Sequence, residues 1–481
     1  MEWLYTLYGI VALLVVLVAV VLIRTFNFKP KSQVAESFEP IEFDKQKAID
    51  GLQTLVKFKT VSDYDKAKED DKEFEGLVEA LPKLYPNVFE KCEFKRFEGR
   101  ALLFRWKGKG SGKPAILMAH YDVVSVEEDN WLKPPFAGII EDGYLWGRGT
   151  LDTKCTLNSA MFAVDHLINK GFVPENDVYL AFSGGEEVNG VGAIKIRDYF
   201  EENNIEPEFV LDEGGAVVNN VFPGVHEPCA LVGIAEKGLV NLQYTVKSNG
   251  GHASAPKPNS PLVHLSKAVI KLDKNPFKVR ITEPVKQMFD VLGRQSTFVY
   301  RMIFANLWLF KGVLAKLSKK TGGDMNALFR TTVALTQIHG SKGINVMPAV
   351  AELYSNSRVN PLETTDQVIE TIRKTIDDDR IELKALNTIE PSRISRTDVE
   401  AYTKIEKTIK AVWDNVLVSP YLMVQCSDCR CYSKISDRVY RFSAMAMTSE
   451  ERATVHGNNE RISLTQIEKS AEFYIRLLKN C

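Results

Sequence analysis

Cysteine is scarce, with seven residues in 481, so a disulfide scaffold is excluded. Three of them cluster in Cys426-Ser427-Asp428-Cys429-Arg430-Cys431, but no second pair exists to complete a four-ligand structural zinc, and free thiols are expected. Bulk charge is nearly absent too. A formal net charge of −1 gives no electrostatic footprint for nucleic acid or an anionic surface. No Asn-x-Ser/Thr acceptor with a permitted middle residue occurs, and there is no internal repeat or low-complexity segment. The run Trp3 to Ile23 contains no charged residue at all. About 20 apolar residues match a hydrocarbon core of about 30 Å, and Trp3, Tyr5 and Tyr8 suit an interface. A cleavable signal peptide would start with basic residues, have a shorter apolar core and end at small residues. Here the start is Met1-Glu2 and the run ends Leu22-Ile23-Arg24-Thr25, so an uncleaved single-pass anchor over 3–25 is expected. Arg24, Lys29 and Lys31 follow it, which by the positive-inside rule favours a cytoplasmic body. The side that the body faces stays open.

What is present is a body of ordinary composition and ample length for more than one domain. Residues 26–43 read as a tether, with Pro30 and Pro40 and little periodicity. From Asp44 the pattern alternates. Helices are expected from Asp44 onward, where Ile49, Leu52, Leu55 and Val56 recur, and over 72–84, 156–170 and 192–202, and strands over 101–106, 115–119, 177–183 and 209–212. This alternation predicts an α/β, doubly wound sheet with helices on both faces. After Gly238 the texture changes to an inserted α+β domain. Its strands are expected near 239–246 and 349–356 and its helices near 261–272 and 365–377. The resulting division is 44–237 for the first part of the α/β domain, 238–388 for the insert and 389–481 for its second part. Residues 284–332 form an extra helical segment. Within it Phe298–Leu317 is strongly apolar yet holds Arg301 and Lys311. One helix packed on the insert or at a subunit contact is expected there; the sharper alternative is a surface that lies on lipid or receives greasy substrates.

Polar residues with metal-binding chemistry stand where apolar strands end. Ile116-Leu117-Met118-Ala119 runs into His120, and ligands of open α/β sheets gather beyond the carboxyl ends of strands. Asp122, two residues on, is spaced to orient a metal-bound imidazole. Asp152 lies between Gly147-Arg148-Gly149 and a helix. There it is either a helix cap or a carboxylate bridging two cations. Glu186 and Glu187 follow Gly184-Gly185 after a strand, a way to obtain one ligand and one general base from one loop. Asp212-Glu213 also ends an apolar strand beside two glycines. Each motif alone has a bland reading as a cap or turn. Their conjunction in a chain with seven histidines points to a nitrogen- and oxygen-ligated zinc site, with Co2+ or Mn2+ as substitutes.

Together with Val455-His456-Gly457, the set His120-x-Asp122, Gly147-Arg148-Gly149-x-x-Asp152, Glu186-Glu187 and Asp212-Glu213-Gly214-Gly215 resembles the aminoacylase/carboxypeptidase family of zinc metallopeptidases. The membrane-anchored carboxypeptidase S type and N-acyl-amino-acid hydrolases are nearest in motif. The resemblance covers Lys45 to the C-terminus. It implies two zinc ions: His120 with Asp212 or Glu213 on one, Glu187 with His456 on the other, Asp152 bridging. It implies Glu186 as general base, His252 as the insert histidine that polarises the scissile carbonyl, and Asn345 and Arg358 as pocket residues. Arg438, in Ser436-Asp437-Arg438, resembles an arginine that takes the substrate carboxylate. The implied substrate is a small peptide or N-acyl amino acid, and the implied assembly is a homodimer through the insert. Two departures are visible: Gly185 stands where many relatives have Asp, and Gln425–Arg430 is unlike a glycine-rich stretch of some relatives.

Overall fold

The structure is a computed structural model that describes residues 2–30, 38–220 and 222–481; the expected tether falls partly on 31–37, outside the described residues. An eight-stranded mixed sheet forms its centre. The spatial order is Glu93–Phe97, Ala101–Trp106, Val178–Ser183, Ala115–His120, Phe209–Val218, Val439–Met447, Cys229–Glu236, Leu417–Met423. The inner pairs 178–183 with 115–120, 115–120 with 209–218, and 209–218 with 439–447 are parallel. Their carboxyl ends therefore share one edge, where loops from separate parts of the chain converge.

Strand 115–120 is buried at all six positions, which is why it reads as an unbroken apolar run rather than an alternation. Leu117 and Ala119 pack into a layer with helices Lys45–Val56, Lys154–Asn169, Glu400–Val412 and Leu464–Lys479. Ile116 and Met118 face the other side, against helix Gly192–Glu202 and the short helix Asp428–Lys434. Each such buried aliphatic side chain contributes about 1.5–3 kcal/mol. The sheet is thus clamped between two cores, and the expected α/β class with helices on both faces is what the chain adopts.

A second, antiparallel sheet has the order Thr332–His339, Val350–Val359, Gly238–Lys247, Glu382–Ile389. Strand 350–359 alternates buried with less buried residues, as a sheet covered on one face should. Helices Pro261–Lys274 and Thr365–Ile376 supply the cover. Lys237 alone separates strand 229–236 from strand 238–247. Its ammonium is buried and donates to the carbonyls of Ala327 (2.9 Å) and Arg330 (2.8 Å).

The segment expected as a single helix over Phe298–Leu317 is two, Phe298–Ala305 and Leu307–Thr321, broken at Asn306. Its apolar packing is on the large sheet rather than the small one, while Lys319 Nζ touches the insert at the Lys274 carbonyl (3.2 Å). With helix Glu283–Gln295 it closes a cluster of Phe222, Phe289, Phe304 and Phe329 against Leu417 and Leu422 of the large sheet's edge strand. The N-terminal helix Glu2–Asn27 is long and apolar enough to cross a membrane.

Candidate metal centre

Asp152 sits in the loop between strand Tyr144–Trp146 and helix Lys154–Asn169. Its Oδ1 lies 3.0 Å from His120 Nε2, and its Oδ2 lies 3.0 Å from His456 Nε2. Each histidine also meets a second carboxylate: His120 Nε2 is 3.3 Å from Glu213, and His456 Nε2 is 3.2 Å from Glu187. The result is two groups, His120–Asp152–Glu213 and Asp152–Glu187–His456, whose ligand atoms lie within 4.8 Å of one another and which share Asp152. Two imidazoles and three carboxylates, without thiolate, are a donor set suited to zinc-like cations.

The parts are held by backbone. His120 ends its strand, and its Nδ1 is 2.9 Å from the Asp122 carbonyl but 3.4 Å from the Asp122 side chain. The Asp122 carboxylate has a different task. It accepts from Ser62 Oγ (2.7 Å) and from the backbone N–H of Glu186 and of Glu187 (3.1 Å each), fixing the turn that carries both glutamates. Glu213 leaves the ladder because the pairing of 209–218 with 439–447 jumps from Asp212 opposite Arg441 to Gly215 opposite Phe442. The following glycines permit that excursion: a Cβ on Gly215 would stand 1.7 Å from the Leu231 carbonyl oxygen. Asp212, buried, turns away from the cluster and accepts from the Cys429 N–H (2.9 Å). His456 has φ 58°, a left-handed conformation that costs a residue with a Cβ about 1 kcal/mol or more; it aims the ring at Asp152.

Electrostatics follow from this crowding. Burial pushes the Glu186 carboxyl well above the ordinary range, opposed by the nearby His120 and reinforced by Asp428 and Glu213. Burial and the Asp152 charge do the same to Glu213. Burial and Asp428 raise Asp212 to about 6. For Asp152 burial acts upward, but the hydrogen bonds and charges of His120 and His456 prevail and hold it well below its usual value. Hydrogen bonds to Asp152 and Glu187 lift His456 to about 10. So many acids pressed together call for positive charge, supplied here by the imidazoles and, in a metal-loaded site, by cations.

Several supporting residues were not visible in the sequence. Glu460 is fully buried and accepts from Arg148 Nη1 (2.6 Å) and from the N–H groups of Gly149, Leu151 and Asp152 (3.1, 2.7 and 3.3 Å). It locks the loop that presents Asp152; its place four residues after His456 is the only signal it leaves. Asp428 pairs with Ser183 Oγ at the end of strand 178–183. Arg430 reaches Asn189 (3.1 Å), beside the glutamate turn, and its charge is felt at Glu186's neighbour Asp428. The remaining expected residues divide. Arg358 approaches the same loop, with Nη1 donating to Cys426 Sγ at 3.4 Å. His252 and Asn345 lie together on a two-stranded ribbon of the second sheet's domain, both exposed; His252 Nδ1 is 2.8 Å from Ser254 Oγ, and the Asn345 carbonyl accepts from Ala253 N. Arg438 is not near the cluster. It precedes strand 439–447 and so sits at the amino edge of the parallel strands, donating to Glu206 (2.6 Å) and the Pro207 carbonyl (3.1 Å). All seven cysteines are free, and among the described residues none joins a metal-capable group.

A mixed sheet that gathers histidines and carboxylates at one edge into two linked ligand groups defines a metal-dependent hydrolase. Residues 116–480 match peptidase family M20/M25/M40, and the chain belongs to that family, as an enzyme of the metallopeptidase and amidohydrolase class. It is 34% identical over 482 residues to the probable carboxypeptidase S-like 2 of Dictyostelium discoideum, covering 97% of this chain and 92% of that one. It is also 34% identical over 478 residues to the N-fatty-acyl-amino acid synthase/hydrolase PM20D1 of Xenopus tropicalis, covering 97% and 93%. The fold is shared with the M20 family metallo-carboxypeptidase Sso-CP2 from Sulfolobus solfataricus, with TM-score 0.66, 20% identity and coverage of 90% and 98%. It is shared too with human carnosine dipeptidase 1, with TM-score 0.63, 12% identity and coverage of 90% and 96%.

Proposed function

We propose that this chain hydrolyses an amide bond adjacent to a free carboxylate, in a short peptide or an N-acyl amino acid, at a site for two zinc ions. The observation that carries this reading is the placement of Asp152, one oxygen toward each histidine at 3.0 Å. His120 and Glu213 would hold one ion, His456 and Glu187 the other, with Asp152 common to both. When bound, the pair of cations polarises a carbonyl and lowers the pKa of water. Glu186 takes a proton from the attacking water as its oxygen adds to the carbonyl carbon. It then delivers that proton to the nitrogen as the C–N bond breaks.

Arg358, which meets Cys426, and Arg430, which reaches Asn189 beside the glutamate turn, are the guanidinium groups offered to a substrate carboxylate in place of Arg438. A guanidinium fork there selects substrates by paired hydrogen bonds. Both relatives named above are described by substrates or activities of this kind, a carboxypeptidase and an acyl-amino-acid hydrolase. Residues 3–25 act as the single-pass anchor. His252 and Asn345, exposed on their ribbon, reach a substrate through approach of a second copy, the insert serving as the dimer contact.

The test uses the purified full-length chain with a glycyl dipeptide, a fatty-acyl amino acid, and the same two compounds with the carboxylate capped as an amide. Chelator-sensitive cleavage of the free acids, at least about tenfold faster than of the capped forms, is expected from loss of a charged hydrogen-bonded contact. Equal cleavage of capped and free forms contradicts the carboxylate requirement. The better of the two free acids decides between peptide and acyl-amino-acid substrates.

A further inference from the structure

The apolar stretch around residue 300 takes no part in this chemistry, yet it is built against the N-terminal helix. Helices Phe298–Ala305 and Leu307–Thr321 meet at a bend of 109°. At about 1.5 Å per residue they are about 12 Å and about 22 Å long, so neither crosses a hydrocarbon core of about 30 Å. At the corner Asn306 Nδ2 donates to the carbonyls of Met302 (2.9 Å) and Val21 (3.2 Å) and to Thr25 Oγ1 (3.3 Å). Arg24 Nε donates to the Ala305 carbonyl at 3.2 Å, and the rings of Phe26 and Phe298 are 5.8 Å apart. These contacts bury Val21 and Thr25, while most of helix Glu2–Asn27 is exposed. The bent pair is therefore fixed beside the last turns of the apolar run, where the first cation, Arg24, marks its exit from hydrocarbon.

The two sides of the pair differ. Inward, Phe304, Leu307 and Leu314 join the cluster around Phe289 and Phe222. Outward, Phe298, Val299, Tyr300, Trp308, Leu309 and Val313 are each 39–61% exposed. Between residues 298 and 323 there are five cations, Arg301, Lys311, Lys316, Lys319 and Lys320, and no acid. Outward aromatic and aliphatic side chains interleaved with lysines are the composition of a helix lying in a membrane surface, apolar groups among the acyl chains and ammonium groups at the phosphates.

We infer that helices 298–305 and 307–321 form a platform embedded in the surface of an anionic phospholipid bilayer beside the span. This rests on the reading of residues 3–25 as an anchor, and the occupant of the exposed face is the same bilayer that the anchor enters. The platform is continuous with the edge of the catalytic sheet through Phe289, Leu417 and Leu422. The catalytic body is thereby held in one orientation to the membrane instead of swivelling on its tether.

The test uses the full-length chain carrying W3F, reconstituted into phosphatidylcholine and phosphatidylserine vesicles with or without phosphatidylcholine brominated near the headgroup end of its acyl chains. Flotation reports the anchor; tryptophan quenching reports the platform. The W3F chain should float and lose up to one tryptophan's share of its emission, about one in five, to the brominated lipid. The W3F/W308F chain should float and lose none of that component. Flotation with equal quenching in both chains overturns the platform, leaves the anchor standing and gives the face to a protein contact. Failure of both chains to float overturns both.

Discussion

His120 and His252 both enter the proposed reaction, yet their surroundings are opposite. His120 is 2% exposed and lies among Asp152, Glu213 and the Asp122 backbone. His252 is exposed on a two-residue strand whose contacts are local. The first region is organised before any substrate arrives: Asp122 and Glu460 spend their carboxylates on backbone N–H groups so that the ligand loops cannot drift. The second is open to solvent, and in the proposed reaction it acts only when another surface approaches. The difference teaches that ligand geometry is already present in the folded chain, while the carbonyl polarisation proposed for His252 calls for a second surface.

The largest effect expected on the organised side is from E186Q. Removing the proton carrier should lower kcat by about 10³-fold, within the range for a positioned general base, with zinc content unchanged; a smaller than tenfold loss in steady-state assays removes Glu186 from the proton transfer. Next is E460A, which leaves buried Arg148 without its partner. Breaking such a pair costs about 3–5 kcal/mol, so denaturant unfolding should show that loss together with weakened zinc retention. Unaltered zinc affinity would mean that the Asp152 loop holds itself.

The exposed side is probed by H252A, for which kcat should fall about 10²-fold at unchanged zinc content. Mixing H252A with E186Q chains should restore turnover above that of either alone, because one mixed site carries both an intact Glu186 and the partner's intact histidine. Absence of recovery assigns His252 to closure within one chain.

Lys237, at the junction of the two sheets, gives a smaller and pH-dependent effect. Burial lowers its pKa to about 7, against about 10.4 in an unfolded chain. Between those values the unfolded chain binds more protons, so the destabilisation is fully present below pH 7 and fades as pH rises to about 10.4. The contribution to unfolding stability should climb by up to about 1.4 kcal/mol per pH unit. K237M should flatten that slope in unfolding measured from pH 7.5 to 9.5. The smallest effect separates two arginines: R430A should raise KM about tenfold or more through loss of a charged contact, whereas R438A should leave KM within twofold. The reverse result would restore the Ser436-Asp437-Arg438 reading.

Those arginines show what was legible in the sequence. Apolar runs that stop at an acid or histidine mark strand ends, so His120 and Glu187 could be located from the residues, whereas Asp152 also read as a helix cap and His456 was marked only by the family resemblance. The choice between Asp212 and Glu213 could not, because it depends on a two-residue bulge against Arg441 and Phe442, a matter of cross-strand register. Ser427-Asp428-Cys429-Arg430 and Ser436-Asp437-Arg438 look alike locally. Only the start of strand 439–447 shows that Arg438 is on the wrong edge of the sheet. Glu460 had no periodic or glycine signal, since its partners, Arg148 and three backbone amides, are distant in sequence. The corner at Asn306 was hidden for a similar reason: hydropathy runs through it, and what bends the chain there is hydrogen bonding to Val21 and Thr25.

The most direct measurement is an anomalous difference map at the zinc edge from crystals of the zinc-loaded full chain. The account predicts two peaks on either side of Asp152, one bounded by His120 and Glu213 and the other by His456 and Glu187. A single peak, or zinc held elsewhere with the Asp152 cluster empty, contradicts the shared dinuclear site.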